Sequence, residues 1–128
     1  MKLNRIHHIA VIASDYARSK AFYCKILGFS LIHEQYRADR DSWKGDLALD
    51  GVYTLELFSF PSPPPRVSTP EACGLRHLAF GVSDLAAAVA ELTAQGVACE
   101  AVRRDAYSGR DFTFFRDPDG LPLELYQD

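Results

Sequence analysis

The chain opens with Ile6-His-His-Ile-Ala-Val-Ile-Ala-Ser-Asp15 and returns to that pattern near its middle with Gly74-Leu-Arg-His-Leu-Ala-Phe-Gly-Val-Ser-Asp84. One offset carries His8 onto His77, Ala10 onto Ala79 and Asp15 onto Asp84. An offset one residue shorter carries Gly28 onto Gly96 and Glu56 onto Glu124. Self-similarity at half the chain length restricts the fold to two copies of one supersecondary unit. Each copy then supplies one His from its first strand and one Glu from its last. Two His and two Glu at matched positions are the ingredients of a divalent-metal site.

Local patterning expands each copy into the same series of elements. Residues 5–12 read as a strand by their β-branched content, with His8, Ala10 and Ile12 on one face and His7, Ile9 and Val11 on the other. Ser14-Asp15 offers an N-cap to a helix over Ala17 to Leu27, which Gly28 closes. Strands are expected over Phe29 to Tyr36, Trp43 to Leu49 and Val52 to Phe60. Prolines 61, 63, 64, 65 and 70 keep the next stretch out of a sheet interior and make it a stiff connector. A proline-rich ligand for a recognition domain is the alternative use of that stretch. The second copy predicts a strand over Arg76 to Val82, a capped helix to Ala94 and a strand over Val97 to Val102. A loop from Arg103 to Arg110, a strand over Phe112 to Arg116, a turn at Asp117-Pro-Asp-Gly120 and a final strand over Pro122 to Tyr126 complete it. The expectation is an α+β fold of two βαβββ modules in a single domain spanning 1–128: module 1 about 1–60, linker about 61–73, module 2 about 74–128.

At 128 residues, with 48% hydrophobic and 24% charged residues, the chain can bury a core of its own. A net charge of −3 argues against a general nucleic-acid or anionic-membrane binder. No apolar run reaches the roughly 18 residues of a membrane span, and the N-terminus lacks the apolar core of a signal peptide. Cys24, Cys73 and Cys99 are odd in number and without a Cys-x-x-Cys, which reads as three reduced, buried thiols in a cytoplasmic protein.

Glu56 lies in Tyr53-Thr-Leu-Glu-Leu-Phe58 and Glu124 in Leu121-Pro-Leu-Glu-Leu-Tyr126, each in the middle of an apolar strand. A carboxylate in such a strand needs a compensating cation. Lys44, Arg76 or another basic residue can fill that role without any metal. The coincidence of both His and both Glu under one repeat operation favours a metal. Alanines two residues after each His leave room for an ion and its ligand. A His2Glu2 set suits Zn²⁺, Ni²⁺, Co²⁺, Mn²⁺ or Fe²⁺, and two carboxylates neutralise the dication. Coordination positions left open mark a catalytic rather than a structural ion. His7, on the opposite strand face, and His33, with no counterpart in the second copy, read as structural or surface residues. Phe58, Phe60, Phe114 and Tyr107 are candidate pocket walls; Arg37, Arg40, Lys44 and Arg103 are candidate holders of an anionic substrate.

The motifs His8-Ile-Ala-Val with Asp15, Phe22-Tyr23 with Leu27-Gly28, His77-Leu-Ala-Phe with Asp84, and Asp117-Pro-Asp-Gly-Leu-Pro-Leu-Glu124 resemble those of the vicinal oxygen chelate superfamily. That superfamily contains glyoxalase I, bleomycin-resistance proteins, methylmalonyl-CoA epimerase, fosfomycin-resistance enzymes and extradiol dioxygenases. The resemblance covers essentially the whole chain and is strongest to small bacterial lactoylglutathione-lyase-like proteins. It implies mixed, curved sheets enclosing one divalent metal per chain, Ni, Zn or Co before Mn or Fe. The implied ligands are His8, Glu56, His77 and Glu124. It also implies metal-assisted proton transfer on a small substrate that chelates through vicinal oxygens, in a lyase or isomerase of glyoxalase I type. Glu124 is the implied general base and Glu56 the alternative. The chain departs from glutathione-dependent members at Ile12 and Phe60, where they carry an Arg and an Asn that hold glutathione. An epimerase, dioxygenase or thiol transferase on the same scaffold, or a ligand-sequestering protein of bleomycin-resistance type, are the competing readings. The stiff connector further suggests pairing of each half with the opposite half of a second chain, giving a homodimer with shared sites.

Overall fold

The computed structural model describes residues 1–128, in two compact units, Met1–Pro65 and Arg66–Asp128. In the first unit, β1 (Ile9–Ala13) is followed by α1 (Tyr16–Ala21), whose last turn widens into a π-helical turn over Phe22–Ile26. Then come β2 (Ser30–Arg37), β3 (Ser42–Leu49) and β4 (Val52–Ser59). The second unit contains β5 (Leu78–Val82), α2 (Leu85–Ala94), a two-residue β6 (Arg103–Arg104), β7 (Asp111–Arg116) and β8 (Pro122–Gln127). Each unit is one four-stranded mixed sheet, in the order β1-β4-β3-β2 and β5-β8-β7-β6. This is the α+β fold of two βαβββ modules that the repeat demands.

The two copies agree in detail. The first strand runs parallel to the last, with Ala10 opposite Glu56 in one unit and Ala79 opposite Glu124 in the other. Asp15 caps α1 by accepting from the Arg18 amide at 3.0 Å, and Asp84 caps α2 by accepting from Ala87 at 2.9 Å. Along β4, Leu55 and Leu57 are buried while Glu56 and Phe58 turn to the other face; along β8, Leu123 and Leu125 are buried while Glu124 and Tyr126 turn away. The period-two alternation thus assigns one sheet face to the core and leaves the opposite face to the polar residues. On the core side of the first unit lie Val11, Ala13, Phe22, Tyr23, Leu47 and the β4 leucines.

Four local expectations change. The opening strands begin at Ile9 and Leu78, so His8 and His77 stand one residue ahead of their ladders. Residues 97–102 form no strand; the Glu100 amide donates to the Phe114 carbonyl at 2.8 Å, and the Thr113 hydroxyl donates to the Glu100 carbonyl at 2.7 Å. A side chain there takes the place of a ladder partner, and strand pairing starts at Arg103 opposite Phe112. Arg103 and Arg104 therefore leave the expected loop, which closes as a turn through the Asp105 amide and the Arg110 carbonyl at 2.8 Å. Cys73 is exposed rather than buried, while Cys24 and Cys99 are partly buried and burial raises both thiol pKa values. The final turn is held by Asp117, whose carboxylate accepts from the amides of Asp119 and Leu121 at 2.9 Å each, with Gly120 at a positive φ of 82°. No helix is long and apolar enough to cross a membrane.

Candidate functional site

In the first unit the open face of the sheet brings His8 to Glu56, with Nε2 3.3 Å from Oε2. The other carboxylate oxygen of Glu56 accepts from the Tyr53 hydroxyl at 2.5 Å and lies 3.0 Å from Lys44 Nζ. Lys44 is shared with Asp46, which it meets at 2.7 Å and which sits opposite Glu56 in the β3–β4 register. Burial works to raise the Glu56 pKa, but the Tyr53 and Lys44 hydrogen bonds outweigh it and hold the carboxyl below its ordinary range. Burial, with the Glu56 bond behind it, pushes the Tyr53 phenol up. The basic partner that the sequence left open for Glu56 is therefore Lys44.

His7 does not point away from this cluster. Strand alternation does not govern a residue ahead of the first ladder pair, and His7 Nδ1 lies 2.8 Å from His8 Nδ1. The His7 ring meets Tyr53 edge-on at 5.3 Å, while the His8 ring stacks on Tyr53 at 5.4 Å. His33 approaches Asp46 at 3.7 Å from a largely exposed position.

The second unit brings His77 to Glu124, with Nε2 3.1 Å from Oε2. Phe114 stands opposite Glu124 in register, where the first unit has Asp46, and its ring packs edge-on against His77 at 5.2 Å. Arg76 Nη1 lies 3.1 Å from His77 Nδ1 and acts as a donor there. Metal ligation through Nε2 would move the imidazole proton to Nδ1, so Arg76 would have to release that nitrogen.

Both pairs suit a metal. Ligands about 2.1 Å from one ion at right angles stand about 3 Å apart, which is the separation in each His–Glu pair. The Glu side chains are 14% and 12% exposed; Glu56 already has the Lys44 ammonium beside it, whereas Glu124 forms no ion pair with a Lys or Arg and stands open to a cation. Each unit supplies one such His–Glu pair, and no three His, Cys, Asp or Glu side chains gather into a metal-holding group.

Among the other candidates, Phe58 and Phe60 stack at 5.9 Å, with the Arg37 guanidinium over the Phe58 ring at 4.9 Å. Arg40 has only a 3.9 Å approach to its neighbour Asp39, and Tyr107 is fully exposed. Arg103 lies over Phe112 and Phe114, lining a cleft of about 590 Å³ that also includes Arg66, Arg76 and Arg116. Tyr53, Asp46, Arg66 and Arg116 were not singled out from the sequence, and Arg76 only as a possible partner of a strand carboxylate. Strand alternation hides Tyr53, because residues three apart point to opposite faces; a β-bulge, where Leu47 pairs with Leu55 but Ala48 with Tyr53, turns its phenol to the side of Glu56.

A model of the Glyoxalase/Bleomycin resistance protein/Dioxygenase superfamily matches residues 5–125. "Uncharacterized protein YaeR" of Escherichia coli (strain K12) is 67% identical over 125 residues, covering 98% of this chain and 97% of that protein. "Uncharacterized protein YwkD" of Bacillus subtilis (strain 168) is 58% identical over 127 residues, covering 99% of each. Among solved structures, the glyoxalase family protein from Enterococcus faecalis is 45% identical with a TM-score of 0.91, over 98% of this chain and 99% of that one.

Proposed function

Because the chain belongs to the Glyoxalase/Bleomycin resistance protein/Dioxygenase superfamily, we propose that it is a metal-dependent lyase or isomerase of glyoxalase I type. That superfamily includes many enzymes; its members commonly use a divalent metal and are often dimers acting on small molecules. The observation that carries the reading is the pair of register-equivalent His–Glu contacts at 3.3 and 3.1 Å. His8, Glu56, His77 and Glu124 are the proposed ligands of one divalent ion, Ni, Zn or Co before Mn or Fe. The two pairs come from one chain or from opposite units of two chains in a homodimer. When bound, such an ion supplies Lewis-acid activation to a substrate offering two neighbouring oxygens.

The chain's own residues then divide the remaining work. Glu56 is anchored through Oε1 by Tyr53 and Lys44, which leaves Oε2 aimed at His8. Glu124 meets the His77 imidazole and has no comparable tether. A carboxylate that must take and return a proton has to move, so Glu124 is the general base and Glu56 the fixed ligand. Phe114, against His77, keeps water from that side of the pair.

Glutathione hemithioacetal is a poor candidate substrate. Ile12 is exposed on the β1 face that also presents Ala10, and Phe60 is stacked under Arg37, so neither position offers the cation or amide of glutathione-dependent members. Losing two charge-assisted contacts costs about 1.5–3 kcal/mol apiece, tenfold or more each in affinity. A smaller α-oxygenated substrate is the better fit. Elemental analysis of protein purified without added metal should return one divalent ion per chain, and a hemithioacetal isomerisation assay should show little turnover. Metal-free protein at full occupancy of the fold would sink the enzyme reading and favour a ligand-sequestering role. Efficient turnover abolished by Glu124→Gln would instead restore glutathione. The dimer is tested by mass measurement in dilute solution, where monomer alone would remove it.

A further inference from the structure

The cleft of the second unit has four arginines in its walls, Arg66, Arg76, Arg103 and Arg116, against two acids, Glu71 and Glu100. The four are not equally available. Arg66 fastens the loop that walls the cleft, donating from Nη2 to the carbonyls of Leu75 and Arg76 at 2.5 and 3.0 Å and from Nε to Ser68 at 3.0 Å. Arg76 is held by Glu71 at 2.8 Å and lies against His77. Arg103 and Arg116 share a single counterion, Glu100, at 3.3 and 4.0 Å. Charge-assisted hydrogen bonds ordinarily close to about 2.7–2.9 Å, so both contacts are slack. Arg116 has one further bond, a 3.4 Å contact to the Gly120 carbonyl.

Two guanidiniums thus converge on one loosely held carboxylate whose backbone is fixed. The Glu100 amide and carbonyl are tied to Phe114 and Thr113, so the acid side chain is presented to the cleft rather than free to wander. Arg103 is laid over the rings of Phe112 and Phe114 at 5.0 and 5.6 Å, which orients its planar fork. Phe114 is the same ring that packs on His77. At the equivalent places of the first unit stand Gln35, paired in register with Lys44, and Ala48, and Lys44 is already neutralised by Asp46 and Glu56. The repeat has therefore built such a loosely held pair of guanidiniums only once.

We propose that this cleft is an oxyanion subsite that takes one carboxylate or phosphate group of a small molecule, gripped by Arg103 and Arg116 in the place Glu100 now occupies. The net charge of −3 over the whole chain makes a local cationic cleft a trap for a small anion, not for a polynucleotide. That the anion belongs to a substrate whose reacting end meets His77 and Glu124 rests on the proposed function; the anion binding itself needs no metal. Glu100 is then an internal competitor that sets affinity and keeps the two cations from repelling each other when the cleft is empty.

The test uses the 128-residue chain stripped of metal by a chelator, titrated separately with inorganic phosphate and with glycolate, and read from the Nε–H signals of the arginine side chains. Saturable shifts confined to Arg103 and Arg116 are expected, with the stronger of the two probes identifying the anion class. Arg103→Gln and Arg116→Gln should each weaken binding about tenfold, and Glu100→Gln should tighten it by a similar factor. Arg103→Lys, which keeps the charge and loses the fork, should fall between. Absence of saturable binding in both the unsubstituted and Glu100→Gln proteins overturns the subsite, as does binding that survives Arg103→Gln combined with Arg116→Gln. A chain that binds phosphate in this way and yet takes up no divalent ion keeps the subsite and loses the proposed enzyme.

Discussion

Glu56 and Glu124 stand at the same position in two copies of one sheet and meet opposite company. Around Glu56 the neighbours are Tyr53, Lys44 and Asp46; the matching positions around Glu124 hold Leu121, Phe112 and Phe114. The first carboxylate is tethered through one oxygen by a phenol and an ammonium, while the second leans on His77 beside an aromatic wall. Duplication delivers two equal donors, and substitution around them then makes the pair unequal. Under the proposed function an anchored ligand and a movable base are different requirements, and these unequal surroundings would meet both.

The largest effect that bears on this comparison comes from removing the shared element. His8→Ala and His77→Ala should each abolish stoichiometric binding of a divalent ion, measured by elemental analysis after dialysis. His7→Ala should retain it, although His7 touches both His8 and Tyr53. Loss of the ion in His7→Ala alone would mean that the two units do not use equivalent histidines.

Next in size is the tether itself. Tyr53→Phe removes a bond to Glu56 Oε1 without touching the oxygen that faces His8. Outer partners of this kind are worth about 10–100-fold in metal affinity. A competition titration against a chromophoric chelator should therefore show weakening in Tyr53→Phe. An unchanged affinity would show that Lys44 alone orients the carboxylate. No parallel substitution exists in the second unit, because Leu121 is a buried residue with nothing to donate.

How much of this could be read from the chain depends on how far apart the partners lie along it. The βαβββ order, the Asp15 and Asp84 caps and the inward-facing leucines beside each Glu follow from local period and spacing, and they stand as expected. The His–Glu contacts were legible because one repeat operation doubles the signal and the parallel first-to-last strand pairing fixes the register. Lys44 was legible only as one of several cations. Arg66, Arg76, Arg103 and Arg116 come from separate segments that only the tertiary fold draws around one cleft. Residues 97–102 were misread because β propensity does not reveal that the Thr113 hydroxyl will occupy the Glu100 carbonyl.

The core sides of the two sheets differ as well. Tyr16 of α1 is matched by Leu85 of α2, and Gly45 of β3 by Thr113 of β7. A Cβ on Gly45 would collide with the Tyr16 hydroxyl, whereas position 113 carries a side chain that is wholly buried and hydrogen-bonded. Gly45→Ala should thus lower stability by about 1–3 kcal/mol, the cost of overpacking a closed core. Adding Tyr16→Phe, which removes the colliding oxygen, should recover part of it in a denaturant melt. Equal loss in the single and double variants would place the collision at the Leu31 side chain and the Tyr16 ring instead.

The smallest effect follows from the same hydroxyl. Tyr16 and Lys20 both donate to Glu34 Oε2 at 2.7 Å, and the matching position of the second unit is Val102. The Lys20 bond, then the Tyr16 bond, hold the Glu34 carboxyl below its ordinary value of 4.5, against the opposing pull of burial. A carboxyl whose folded pKa is depressed contributes stability above its unfolded pKa and loses it as pH falls through the folded one. Stability from Glu34 should therefore be complete at neutral pH and fade below about pH 4.5. The group is partly exposed, so solvent screening limits the contribution to about 1 kcal/mol or less. Glu34→Gln should accordingly cost little at neutral pH and flatten the acid limb of the stability curve, with Lys20→Met acting in the same direction. If Glu34→Gln leaves the acid limb as steep as before, the acid sensitivity of the first unit lies with another carboxylate.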